Sequence, residues 1–228
     1  MKILIVAATW MEVKLLVDEM EYIDEKSHFL KQFRLGDTII DILVSGIGVV
    51  FTTFHLANAL RDDSYRLVLN IGIAGSLTRD LAIGELVNIV SEEFADLGIE
   101  KEEEFLTLFE TGFLDANEFP FENGLLKATE SDGLITFKKV RGITTNKSYS
   151  RKSSVADLKG KFNAQVESME GAAVFYVCKW LGVPCFQIRA ISNYVETRHS
   201  AEWNIPLALD NLKKNILDAL KSLSVLVK

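Results

Sequence analysis

The chain has 228 residues, 48% of them hydrophobic, and a formal net charge of −7. That length and apolar share suffice for one sizeable core, an ordinary size for a single α/β domain. An acidic chain without a basic patch argues against nucleic acid as a partner. Cys178 and Cys185, with no His or Cys at metal spacing, read as reduced core residues of a cytosolic protein.

The N-terminal run KILIVAA (2–8) is continuous and apolar, as in a strand buried on both faces. It is too short and too soon followed by charge to be a signal peptide. A helical pattern follows over 11–20. TIIDILVSG (38–46) predicts a strand, and IGVVFTTFHLANAL a loop and helix. The apolar stretch 42–60 is broken by Ser45, Gly46, Gly48, two threonines, His55 and Asn58, so it is not a membrane span. RLVLNIGIAGS (66–76) reads as a strand ending in a Gly-rich turn, and 86–98 starts as a strand and becomes loop. Residues 100–133 are acidic with little periodicity and read as an excursion. LITFKKVRGITTN (134–146) predicts one or two strands. Lys147, Arg151 and Lys152 form a small cluster that a solvated loop explains. AQVESMEG leads into the helix AAVFYVCKWLG, which ends at Gly182 before Pro184. CFQIRAISNYV (185–195) is a buried strand, and the tail from Asn204 carries an amphipathic helical pattern. Alternating strands and helices point to one α/β domain over 1–228, a central mixed sheet flanked by helices.

Ligand groups in such sheets gather where strands end. The polar residues at those places are Thr9 and Glu12, Ser45 to Gly48, Asn70 to Ser76, Glu167 to Glu170, and Ser192 with Asn193. Glu12 alone reads as an ordinary acid in a helix first turn. SGIGVVF lacks the third glycine of a dinucleotide loop, because Phe51 stands there, and reads equally as a tight turn. NIGIAGS, with Gly75 and Ser76, lets backbone amides approach a ligand or packs a strand corner. Glu170 sits among Met169, Gly171, Ala172 and Ala173, where a solvated face is not expected. A buried carboxylate needs partners, and two vicinal hydroxyls of a ligand would serve. Asn193 is either a turn former or an amide that reads a ligand's paired donor and acceptor.

The set ATWMEV, SGIG, NIGIAGS, ESMEGAA and IRAISN resembles the purine nucleoside phosphorylase and nucleosidase superfamily over most of the chain. It is most similar to the branch of methylthioadenosine/S-adenosylhomocysteine nucleosidases. Within it, ISNYVETRHSAEWNIPLALDNL and ADLG (95–98) resemble the futalosine hydrolases, which remove hypoxanthine from an intermediate of an alternative menaquinone pathway. The resemblance implies a nucleoside phosphorylase-like fold, a small-molecule nucleoside substrate, no cofactor and no metal. It also implies a homodimer or higher homo-oligomer in the cytoplasm. It makes Glu12 the general base for water, Met169 a ribose contact and Glu170 the acceptor of the 2′- and 3′-hydroxyls. Glu167 lines the same pocket, and Tyr149 or Phe94 stacks on the base. Asn193 falls where adenine-specific members carry an aspartate. At the substrate's benzoate-type end, either Arg198 pairs with the carboxylate or Trp203 covers the ring, with His199 nearby.

Cleaving an N-glycosidic bond builds positive charge on the ribose and negative charge on the purine. The reaction needs a carboxylate near C1′ and donors at the departing base. Asparagine can donate to a 6-oxo group, which favours hypoxanthine over adenine. Related phosphorylases hold phosphate with arginines near the first strand and before the Gly-rich turn. TWMEV and LNIG have none, so hydrolysis is expected. The alternatives are a methylthioadenosine/S-adenosylhomocysteine nucleosidase, a phosphorylase, or a non-catalytic nucleoside-binding protein on the same scaffold.

Overall fold

The computed structural model describes residues 2–102, 104–130, 135–149, 151–195 and 203–226. The buried runs of the sequence form the middle of one sheet. β1 (Lys2–Ala7) pairs in parallel with β4 (Thr38–Val44) on one side and β5 (Leu67–Ser76) on the other. β5 pairs in parallel with β12 (Cys185–Tyr194), which lies antiparallel to β6 (Leu86–Phe94). Beyond β6 come β10 (Lys138–Thr144) and β11 (Val166–Ser168). β11 also pairs antiparallel with β5, through Val166 with Ser76 and Glu167 with Gly75. That end of the sheet therefore curls back onto its middle.

Side chains alternate across a strand, and the two faces of β1 show it. Ile3 and Ile5 join one core with Val13 and Leu16 of α1 (Trp10–Val17) and Leu212 and Ile216 of α5 (Ile205–Leu226). Leu4 and Val6 join another with Leu56 of α2 (Val49–Asp62) and Phe175 of α4 (Gly171–Leu181). Helices thus cover both faces of a mixed sheet, as the pattern predicts. α4 ends at Gly182 in the left-handed region, as expected.

Other elements were not foreseen. The edge of the sheet is a hairpin of β2 (Glu21–Ser27) and β3 (Leu30–Leu35), the latter antiparallel to β4. Lys152 opens α3 (Lys152–Lys161), so the basic cluster is not all loop. Within the acidic excursion, β7 (Gly98–Glu100) and β8 (Phe105–Thr107) form a separate two-stranded sheet, while β9 (Leu126–Lys127) pairs with β6. No helix among the described residues is long and apolar enough to cross a membrane.

Candidate active site

A cavity of about 280 Å³ opens where the parallel strands end. The β1–α1 turn supplies Thr9, Met11 and Glu12, and the end of β5 supplies Ile73, Ala74 and Gly75. The β11–α4 junction adds Glu167, Ser168, Met169 and Glu170, and β12 adds Ser192 and Asn193. Glu12, Glu167, Met169, Glu170, Gly75 and Asn193, scattered in sequence, are thus brought to one wall.

Glu12 stands three residues after Thr9, which caps α1. Its Oε2 accepts from Thr9 N at 2.9 Å and from Thr9 Oγ1 at 3.1 Å, while Oε1 accepts from Ile73 N at 3.1 Å. The helix-start reading is therefore right for one oxygen. The other reaches across to β5. A β-carbon at Gly72 would overlap both Glu12 Oε1 and Arg189 Nη1, so a glycine there makes the approach possible.

Glu170 caps α4 and is 6% exposed. Its Oε1 accepts from Gly48 N at 2.9 Å, and its Oε2 lies 4.0 Å from Arg189 Nη2. The SGIG turn is thus the tight turn allowed by the sequence, with Gly46 and Gly48 both at positive φ, and it also supplies a donor. Burial pushes the Glu170 carboxyl above the usual range, partly offset by Arg189 and the Gly48 amide.

A register shift in β12 between Ile191 and Asn193 turns Asn193 into the cavity wall. Its Oδ1 accepts from Ser192 Oγ at 2.8 Å and its Nδ2 donates to Tyr194 O at 3.2 Å. One amide hydrogen and one carbonyl lone pair stay available.

Other expected residues lie elsewhere. Ser76 is buried with its hydroxyl donating to Thr78 O at 2.7 Å. Phe94 packs on the α2–α4 core, and Tyr149 packs among Leu77, Ile143 and Val155. None of these three is on the described cavity wall. Arg198 and His199 fall outside the described residues, whereas Trp203 lines the cavity. Lys147, expected in a solvated loop, also lines it, with its ammonium 4.9 Å from the Tyr149 ring centroid.

Sequence reasoning missed two buried charges behind the wall. Arg189 of β12 is 1% exposed, and its register partner is Gly72. Glu92 of β6 is 1% exposed and accepts from Gln187 Nε2 at 2.7 Å and from Thr144 Oγ1 at 3.0 Å. Burial pushes it up to about 7, against the pull of Gln187, Thr144 and Arg189. The signal was the one noticed for Glu170: a charge inside an apolar run, here QIRAIS and NIVSEEF.

Two buried carboxylates and a pre-oriented amide, gathered at the strand ends of a mixed α/β sheet, are the equipment of an acid–base enzyme for a small polar substrate. The chain belongs to the phosphorylase superfamily, whose family model matches residues 2–228. It is 30% identical over 174 residues to the futalosine hydrolase of Streptomyces coelicolor, covering 74% of this chain and 73% of the relative. It is 25% identical to the 5′-methylthioadenosine/S-adenosylhomocysteine nucleosidase of Haemophilus ducreyi, over 98% of this chain and 99% of the relative. The solved native structure of a futalosine hydrolase from Helicobacter pylori superposes with a TM-score of 0.81 at 21% identity, covering 97% of each chain, which shows a shared fold.

Proposed function

We propose that this nucleosidase hydrolyses the N-glycosidic bond of futalosine, releasing hypoxanthine, as a step of an alternative menaquinone pathway. The observation that carries the reading is the meeting of Glu12, Glu170 and the amide of Asn193 on one cavity wall. In this mechanism Glu170 Oε2 accepts from the ribose hydroxyls while Gly48 N holds Oε1. Met169 packs on the sugar, and Glu167 lines the pocket. Glu12, fixed by Thr9 and Ile73, orients a water at C1′ and takes its proton as the C–O bond forms and the C–N bond breaks. Asn193 donates its remaining amide hydrogen to the 6-oxo group. Its Oδ1 accepts from the N7–H of the departing base, and that proton arrives through water. Arg189 lies behind the carboxylates and restrains their charge.

Hydrolysis is favoured over phosphorolysis by the cations. Arg189 is buried and is not on the wall, so a phosphate in the cavity does not reach it. Lys147 is the only Lys, Arg or His among the described lining residues, and Glu12 and Glu170 repel an anion beside the sugar. A homodimer belongs to the reading. Ile47, Val50, Phe51 and Phe54 at the head of α2 are all more than half exposed, next to the cavity that Ile47 helps to line. Buried, unpaired Cys178 and Cys185 suit the cytoplasm.

The test is product analysis in phosphate-free buffer with futalosine and methylthioadenosine offered separately. Hypoxanthine from futalosine alone is the expected result. Adenine from methylthioadenosine overturns the substrate assignment in favour of the second reading, which the Haemophilus relative supports. No release from either, with or without phosphate, favours a nucleoside-binding protein.

A further inference from the structure

Glu92 takes no part in the mechanism above, yet its surroundings are built to receive it. Both of its donors are themselves held: Gln187 Oε1 accepts from Asn70 Nδ2 at 3.1 Å, and Thr144 Oγ1 accepts from Ala172 N at 2.7 Å. Two strand and helix backbones give way to its carboxylate. A β-carbon at Gly142 would stand 2.6 Å from Oε1, and one at Gly171 would overlap Oε1 and stand 2.6 Å from Gln187 Nε2. Gly171 directly follows Glu170 and opens α4. The carboxylate of Glu92 therefore rests on the backbone that carries Glu170, and through Thr144 it holds the next amide of the same turn. The charged groups that bear on it are Arg189 of β12 and Glu170. β9 and β10 bring Leu126, Gly142 and Thr144 opposite it, none of them charged, and Glu93 pairs instead with Arg141. Arg189 Nε and Nη2 have no hydrogen-bond partner among the described residues, so its charge is open to competition.

We propose that Glu92 is a positioning residue of this site: it fixes the head of α4, and with it Glu170, and its charge competes with Glu170 for Arg189. Burial places its titration close to neutrality, at about 7. Protonated, Glu92 leaves the guanidinium to Glu170. Ionised, it adds a like charge beside Glu170, and the charge of Arg189 is shared between the two.

The kinetic consequence rests on Glu170 anchoring ribose, so the test has one arm that needs no substrate. Infrared difference titration of the free enzyme follows the carbonyl stretch of protonated carboxyls. A band titrating near neutrality is expected in the wild type and absent in Glu92→Gln. In Glu170→Gln it persists with a lower midpoint, because a like charge has gone. In the second arm, KM for the nucleoside that the wild type cleaves rises with pH through neutrality, by roughly 5-fold or more if the coupling is of ordinary size. In Glu92→Gln that rise is lost while kcat on the acid side is kept. A band that survives Glu92→Gln, a midpoint that Glu170→Gln leaves unmoved, or a KM that follows the wild-type profile in Glu92→Gln overturns the proposal. If no nucleoside is cleaved, the futalosine reading fails and the infrared arm decides this one alone.

Discussion

Glu12 Oε1 and Arg189 Nη1 converge on one point above Gly72, where a β-carbon would stand. β5 lies between β1, which leads into Glu12, and β12, which carries Arg189, and Gly72 is the register partner of Arg189. Gly72→Ala therefore drives a methyl group between the proposed base and the buried cation. Both obstructing atoms are ends of flexible side chains, so they withdraw and the strand backbone stays. The expected outcome is a small drop in Tm with kcat/KM down by about 10²–10⁴, the usual worth of a positioned general base. Melting curves and steady-state kinetics on the same preparation separate the two. An unchanged kcat/KM would mean that Glu12 is not needed at that point.

The sequence showed the core strands because each is a bounded apolar run, and it showed Glu12, Gly75, Glu170 and Asn193 because they stand where those runs stop. It hid the edge hairpin, because EYIDEKS has no alternation and is mostly exposed. It hid α3 as well, whose KSSVADLKGK buries only Val155 and Leu158 within the helix. Arg189 and Glu92 were hidden for a different reason. Periodicity ranks a strand by its apolar members, whereas the charges inside QIRAIS and NIVSEEF are made tolerable by residues distant in sequence: Gly72 for Arg189, and Gly142, Gly171 and Thr144 for Glu92. Three-dimensional space made by glycine leaves little trace in a one-dimensional pattern.

The raised carboxyl of Glu92 also fixes the sign of a stability effect. Between its unfolded value of 4.5 and about 7 the native state holds a proton that the unfolded chain has released. Stability from this residue is therefore highest on the acid side and falls as pH rises through that window, by about 3 kcal/mol in all. Above about 7 the loss is complete and the curve flattens. Glu170 and Glu93 are also raised and add the same sign, so the difference between wild type and Glu92→Gln isolates the term. Urea unfolding followed from pH 4.5 up to about 7 is expected to show a decline in the wild type that is visibly smaller in the variant. Parallel declines would mean that Glu92 titrates no differently in the two states.

The hairpin that the sequence concealed is held by one fully buried carboxylate. Asp41 of β4 accepts from Lys26 Nζ at 2.7 Å, Tyr65 Oη at 2.7 Å and Gln32 Nε2 at 2.8 Å, and Lys2 Nζ lies 3.4 Å away. Burial alone would raise its carboxyl, but these donors outweigh it and hold it below the usual range. Asp41→Ala leaves the Tyr65 hydroxyl and the Gln32 amide without this acceptor at the edge of the core, while Lys26 keeps Asp63 Oδ2 at 2.9 Å. A loss of about 1–3 kcal/mol is expected, the usual cost of leaving a buried donor unsatisfied, because both lysines stay paired with Asp63. It should read as a lower urea midpoint with an unchanged slope. Asp41 is not on the cavity wall, so the folded fraction keeps its kcat/KM.

Asn193 offers the sharpest test of base choice, because its two amide ends are already oriented. Ser192 Oγ donates to Oδ1, and an aspartate in the same place accepts that bond equally well. Asn193→Asp therefore keeps the bond from Ser192, gives up the donation to Tyr194 O and changes what faces the purine. The amide hydrogen that suits a 6-oxo group is replaced by an oxygen that repels it. A 6-amino group instead finds an acceptor, and N7 finds a carboxyl able to deliver a proton. A buried polar group facing the wrong partner is rejected far more strongly than one missing a methylene, so the ratio of kcat/KM for futalosine to that for methylthioadenosine is expected to fall by about 10²-fold or more. Chromatographic assay of hypoxanthine and adenine from each substrate reads the ratio directly. If the ratio stays put while both rates fall together, Asn193 orders the wall without reading the base, and the preference for a 6-oxopurine must come from another lining residue.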